Sequence, residues 1–81
     1  MTVATLKGID AEAIEFRVAA DAPIANRVIA ELDFPEGGII GTILRGDAIL
    51  IPRGPDRVLP GDEVIVFALP EALPAIEKFF D

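Results

Sequence analysis

The chain contains no cysteine, histidine, tryptophan, tyrosine or serine. Each absence excludes something. Without cysteine there is no disulfide, and without histidine the commonest metal ligand is missing, so neither can staple a small fold. The usual nucleophiles and general bases are nearly gone, with three threonines the only hydroxyl side chains, and catalysis by an activated nucleophile or an imidazole is not expected. Positive charge is scarce too: seven basic against fourteen acidic residues leave a net charge of -7. Nucleic-acid binding draws its affinity from Lys and Arg on phosphates, so that class is disfavoured. No apolar stretch approaches the roughly 18 residues of a membrane span. The opening "MTVATLKGIDAE" lacks the charged-then-apolar pattern of a signal peptide. The lack of cysteine fits the cytoplasm.

What is present is apolar. Hydrophobic residues make up 52% of 81 positions. A core of this size is marginal by itself, and a monomer would struggle to cover so much apolar surface, so a dimer or larger assembly is expected. Five of the seven basic residues are arginines, at 17, 27, 45, 53 and 57. Four of them fall between 27 and 57, which allows a local basic patch on an acidic chain.

Residues 1–12 carry weak signals: Thr2 to Leu6 reads as a short strand or an ordered arm, broken by Gly8 and Asp10. "AIEFRV" (13–18) alternates, with Ile14, Phe16 and Val18 on one side, as in a half-buried strand. In "ADAPIANRVIAEL", Pro23 suits a first helical position, and Ile24, Val28 and Leu32 recur at i, i+4, i+8. The spacing predicts an amphipathic helix of about nine residues, ended by Pro35 and Gly37-Gly38. "IIGTIL" (39–44) and "AILI" (48–51) flank Arg45-Gly46-Asp47 and predict a hairpin. Neither run alternates, so both faces are expected to be covered, one by a helix and the other by a second subunit. Pro52 ends the hairpin, and Val58-Leu59 allows one short pairing. Leu59-Pro60-Gly61-Asp62 fits a turn, with Asp62 bonding to its own backbone. "EVIVF" (63–67) is the strongest strand candidate. "LPEALPAIEKFFD" predicts a helix starting between 70 and 73, which puts Pro74 in its first turn. The order is β-α-β-β-β-α, an α+β domain with a mostly antiparallel sheet and helices on one face.

This ordered set resembles the TrkA C-terminal domain, also called the RCK C-terminal domain. The resemblance is carried by "EFRV", a helix ending "ELDFPEG", the hairpin "IIGTILRGDAILIPRG" and "VLPGDEVIVF" followed by a closing helix. It runs from about residue 14 to 80, so residues 13–81 are expected to be the regulatory domain and 1–12 an arm or short strand. The resemblance implies a dimerising, non-enzymatic, cytoplasmic regulator of potassium transport. It implies no cofactor in this chain, a possible nucleotide ligand such as cyclic di-AMP, and a membrane transporter or channel reached through a nucleotide-binding domain. No G-x-G-x-x-G fingerprint of such a domain occurs here.

For an anionic ligand, Arg45, Arg53 and Arg57 are the candidates, because guanidinium presents planar donors to phosphate. The competing reading is ion pairing with the surplus carboxylates. Ile39 and Ile40 are candidates to line the ligand groove. Ile39, Ile40, Ile43, Ile49 and Ile51 are candidates for the dimer interface, against plain core. Asp10, Glu12 and Glu15 match no calcium loop and read as solvated charge rather than a metal site. Two further functional readings stay open: a ligand-free dimerisation module, and a domain of an antiporter or dicarboxylate-type permease.

Overall fold

The computed structural model describes residues 2–5 and 10–81; Leu6 and Gly8, expected to end the first strand, lie outside them. Five strands form one antiparallel sheet: β1 (Thr2–Thr5), β2 (Glu12–Arg17), β3 (Gly38–Arg45), β4 (Ala48–Leu50) and β5 (Glu63–Ala68), in the spatial order β1-β2-β5-β3-β4. The strongest strand sequence, β5, takes the centre, where both of its edges are paired. Its register sets Val64, Val66 and Ala68 opposite Phe16, Ile14 and Glu12 on β2, and opposite Ile43, Ile40 and Gly38 on β3. All three β5 residues are buried, as are Ile14, Phe16 and Ile43. Alternation therefore gives the sheet one inner face, as β2 predicted.

That face is covered at its carboxyl end by a 3-10 turn, Pro70–Ala72, running into α1 (Leu73–Glu77). Pro74 sits in the first turn, where its missing N–H costs nothing. Ile76 is fully buried. The Phe80 ring stacks on Phe16 with centroids 4.2 Å apart, and the Phe79 carbonyl accepts the Ile24 N–H at 2.9 Å, so the last residues are locked to the sheet.

The expected helix at 23–32 does not form, and α1 is the single α-helix among the described residues. In its place are tight turns and one 3-10 turn at Ile29–Glu31. Asn26 adopts a left-handed φ of 68°, which ends any right-handed helix. The N–H groups around it turn to another segment. Asn26 donates to the Val58 carbonyl at 2.7 Å, Ile29 to Asp56 at 2.8 Å and Ala30 to Gly54 at 2.9 Å, and Val58 donates back to Arg27 at 2.9 Å. Asn26, Ile29 and Ala30 thus spend their donors on 54–58 rather than on carbonyls four residues back, while Arg27 closes a local turn on Ile24. The i, i+4 spacing was real, since Ile24 is fully buried, but it served a second extended layer on the inner face. The short pairing expected near Val58 belongs to that layer, with a bridge between Val28 and Arg57.

The hairpin forms as expected. Arg45 pairs with Ala48 across Gly46-Asp47, and Gly46 has φ 58°, the positive value a two-residue hairpin turn demands at its first central position. Its faces differ from expectation. Ile43 and Leu50 point inward, whereas on the outer face Ile39, Ile49 and Ile51 are 63%, 72% and 71% exposed. Nothing among the described residues covers them.

Candidate ligand groove and the arginine cluster

The turn Leu59–Asp62 organises one end of the site. Gly61 supplies φ 87°, the Asp62 N–H donates to the Leu59 carbonyl at 3.1 Å, and the Asp62 carboxylate accepts the Leu59 N–H at 2.8 Å. The side chain therefore shapes its own turn, as the sequence suggested. Asp62 is only 1% exposed, so a bare charge there would be costly. Arg45 answers it with two parallel bonds, Nε to Oδ1 and Nη2 to Oδ2, both 2.9 Å. Burial pushes the Asp62 pKa up, but the Arg45 and Leu59 donors outweigh it and hold the carboxyl below its ordinary value. The same hydrogen bonds raise the Arg45 guanidinium further, against partial desolvation.

Arg45 Nη2 also donates to the Arg57 carbonyl at 2.9 Å. The Arg57 guanidinium donates to the Asn26 carbonyl. Two of the three candidate arginines are therefore engaged in holding the β3–β4 hairpin, the 54–58 segment and the Asn26 turn together. They border a groove of about 330 Å³ beside Ile49, Leu50 and Ile51, but the nitrogens given above are already bonded to protein. Arg45 acts as a structural link here, with Nε and Nη2 both bonded to protein.

Arg53 differs. Its backbone N–H and carbonyl close a turn with Asp56, while among the described residues its guanidinium has no hydrogen-bond or ion-pair partner. It lies at a second groove, of about 260 Å³, also lined by Ile29, Leu32, Phe34, Ile39 and Ile40. The structure thus brings three of the five ligand candidates, Arg53, Ile39 and Ile40, to one apolar groove with one free cation, a chemistry suited to an amphiphilic anion. Leu32 and Phe34 were missed because the segment holding them was read as an amphipathic helix ended by Pro35 and Gly37-Gly38.

The interface candidates separate by face. Ile39, Ile49 and Ile51 are on the exposed face. Ile43 is fully buried in the core and is corrected: it can contact no second subunit. Ile40 faces inward toward the groove and is half-buried. No cluster of acidic side chains among the described residues could hold a metal. No helix among them is long and apolar enough to cross a membrane.

Comparison with known proteins bears on this geometry. The family model described as the TrkA-C domain matches residues 13–81. A protein of Methanosarcina mazei named Trk system potassium uptake protein TrkA homolog 2 is 36% identical over 78 residues, which is 96% of this chain and 17% of that protein. The Trk system potassium uptake protein TrkA of Haemophilus influenzae is 38% identical over 82 residues, again 96% of this chain and 18% of that protein. The chain thus spans under a fifth of the relatives it matches. A solved structure described as "Structure of RCK domain with cda" superposes with a TM-score of 0.73 at 19% identity, covering 85% of this chain and 97% of that one. At that identity the likeness supports the α+β fold alone.

Proposed function

The chain belongs to the TrkA-C domain family, and from that premise we propose that it is a regulatory domain of a potassium transport system. The observation that carries this reading is the match over residues 13–81, together with relatives named for potassium uptake that align along nearly the whole chain. The domain works as a dimer whose subunit arrangement is biased by a small anionic ligand. The ligand's charged group meets Arg53 and its apolar part rests against Ile39 and Ile40. A ligand shifts such an equilibrium only by its differential affinity for the two arrangements. Attached domains pass the shift on to the membrane transporter. In this reading the chain acts at the cytoplasmic side of the membrane and carries out no catalysis.

Isothermal titration with cyclic di-AMP, and with mononucleotides for comparison, tests the ligand. Binding is expected to be lost in Arg53→Ala and kept in Arg57→Ala. No heat with any nucleotide at millimolar concentration would sink the ligand assignment. A second reading, a dimerisation module without a ligand, is favoured by the uncovered Ile39, Ile49 and Ile51, and that outcome would leave it standing.

A further inference from the structure

The two most exposed large apolar side chains among the described residues, Ile49 and Ile51, lie in and just beyond β4, the edge strand of the sheet. Natural edge strands are usually blunted with charge, because a flat apolar edge recruits another strand. Here the strip Ala48-Ile49-Leu50-Ile51-Pro52 carries no charge in a chain of net charge -7.

The register shows which backbone groups are free. A two-residue hairpin loop closes on a pair that exchanges both hydrogen bonds, so Arg45 and Ala48 face each other. Antiparallel alternation makes Ile43 and Leu50 the next such pair. The N–H and C=O groups of Ile49 therefore point away from β3; the registered pairing ends at Leu50, and continuing the alternation by one residue puts those of Ile51 on the same side. Pro52 shares the parity of Ala48 and Leu50, so its missing donor falls on the side facing β3. The outward edge keeps its donors.

We infer that β4 pairs edge to edge with β4 of a second copy, antiparallel about a two-fold axis at Leu50. This rests on the reading that the domain dimerises, and it names the surface. The register is self-complementary. Ile49 meets Ile51 of the second copy with both backbone bonds made, twice over by symmetry. Leu50 meets its own counterpart at a narrow pair on the inner face, beside the groove that Leu50 already lines. Ala48 meets Pro52 at a position that asks for no donor. One step further, Asp47 is brought toward Arg53 of the second copy, so the charges bounding the strip are opposite in sign. Shifting the axis to Ile49 or Ile51 loses that match. Self-complementarity of this kind is what a two-fold interface requires.

Because the chain has no cysteine, one introduced thiol reports proximity between copies without background. Leu50→Cys places the two thiols at a narrow cross-strand pair, with Cβ atoms about 4.5–5.5 Å apart, within easy reach of a disulfide. Under mild oxidation it is expected to give a covalent dimer, and Ile39→Cys is not. Sedimentation of Asp47→Arg and of Arg53→Asp should show dimerisation weakened about tenfold in each, with the double reversal restoring it. These two changes are at exposed positions, so they decide the question even if Leu50→Cys fails to fold. A dimer that crosslinks through Ile39→Cys and ignores the charge reversals overturns the edge pairing and leaves the dimer reading intact. A chain that sediments as a monomer at every concentration overturns both.

Discussion

The Arg45–Asp62 pair gives the sharpest test of what holds the arginine cluster. Replacing Arg45 with Met keeps its apolar stem and removes its two bonds to Asp62 and the one to the Arg57 carbonyl. The Asp62 carboxylate, 1% exposed, then keeps only the Leu59 N–H at 2.8 Å. Stripping one partner from a fully buried pair costs about 3–5 kcal/mol. Here the arginine end is 38% exposed, so water can reach the vacated site. We therefore expect about 2–3 kcal/mol, or about 10–20 °C in Tm for a domain of this size. With no Trp or Tyr for fluorescence, urea unfolding is followed by far-UV circular dichroism at pH 7 and fixed protein concentration, since dimerisation couples to stability. Asp62→Asn in the Arg45→Met background removes the stranded charge and keeps an acceptor for Leu59. The double variant is expected to recover about 1 kcal/mol, because an uncompensated buried charge costs more than a neutral acceptor. An Arg45→Met variant within about 0.5 kcal/mol of the parent, the scatter of ordinary surface substitutions, would refute the pair's structural role. So would a double variant no better than the single.

Other consequences follow from the same geometry. Asp62 has a folded pKa below its unfolded one, so its contribution is complete above the unfolded value, near 4, and is lost as pH falls through the folded value. Unfolding midpoints should drop more steeply with acid in the parent than in Asp62→Asn. Gly61→Ala places a side chain at φ 87° in open space, so its cost is backbone strain alone, about 1–2 kcal/mol, with Gly61→Asn milder by the same assay. Phe80→Ala removes the ring stacked on Phe16 and should cost about 3–5 kcal/mol, enough to leave a marginal domain largely unfolded by circular dichroism. An Ala at Gly41 would set its Cβ 2.2 Å from the Phe67 ring. It should destabilise by more than about 1 kcal/mol, a loss that Phe67→Ala relieves.

The sheet was readable because its signals are local. Ile14, Phe16 and Val18 alternate, Gly46 and Gly61 stand where the backbone needs positive φ, and Pro74 marks a first turn. The Asp62 turn was readable for the same reason. The failures share one cause. Ile24, Val28 and Leu32 have helical spacing, yet the donors of Asn26, Ile29 and Ala30 go to carbonyls at 54–58, a pairing across some thirty residues that no window in the sequence contains. The division among the arginines was hidden likewise. Arg45, Arg53 and Arg57 look alike in composition, and only the partner seventeen positions away, Asp62, separates the structural link from the free cation.

By itself, the sequence determined the family, the antiparallel sheet, the closing helix and the exclusion of disulfides and of imidazole or thiol chemistry, because these depend on residue type and short-range spacing. The tertiary structure decided which face of the hairpin is bare, that Ile43 is core while Ile49 and Ile51 are surface, and that Arg53 alone of the three candidates has a guanidinium without a partner among the described residues. Those are matters of which distant groups satisfy one another's hydrogen bonds, and that is settled only when the chain has folded.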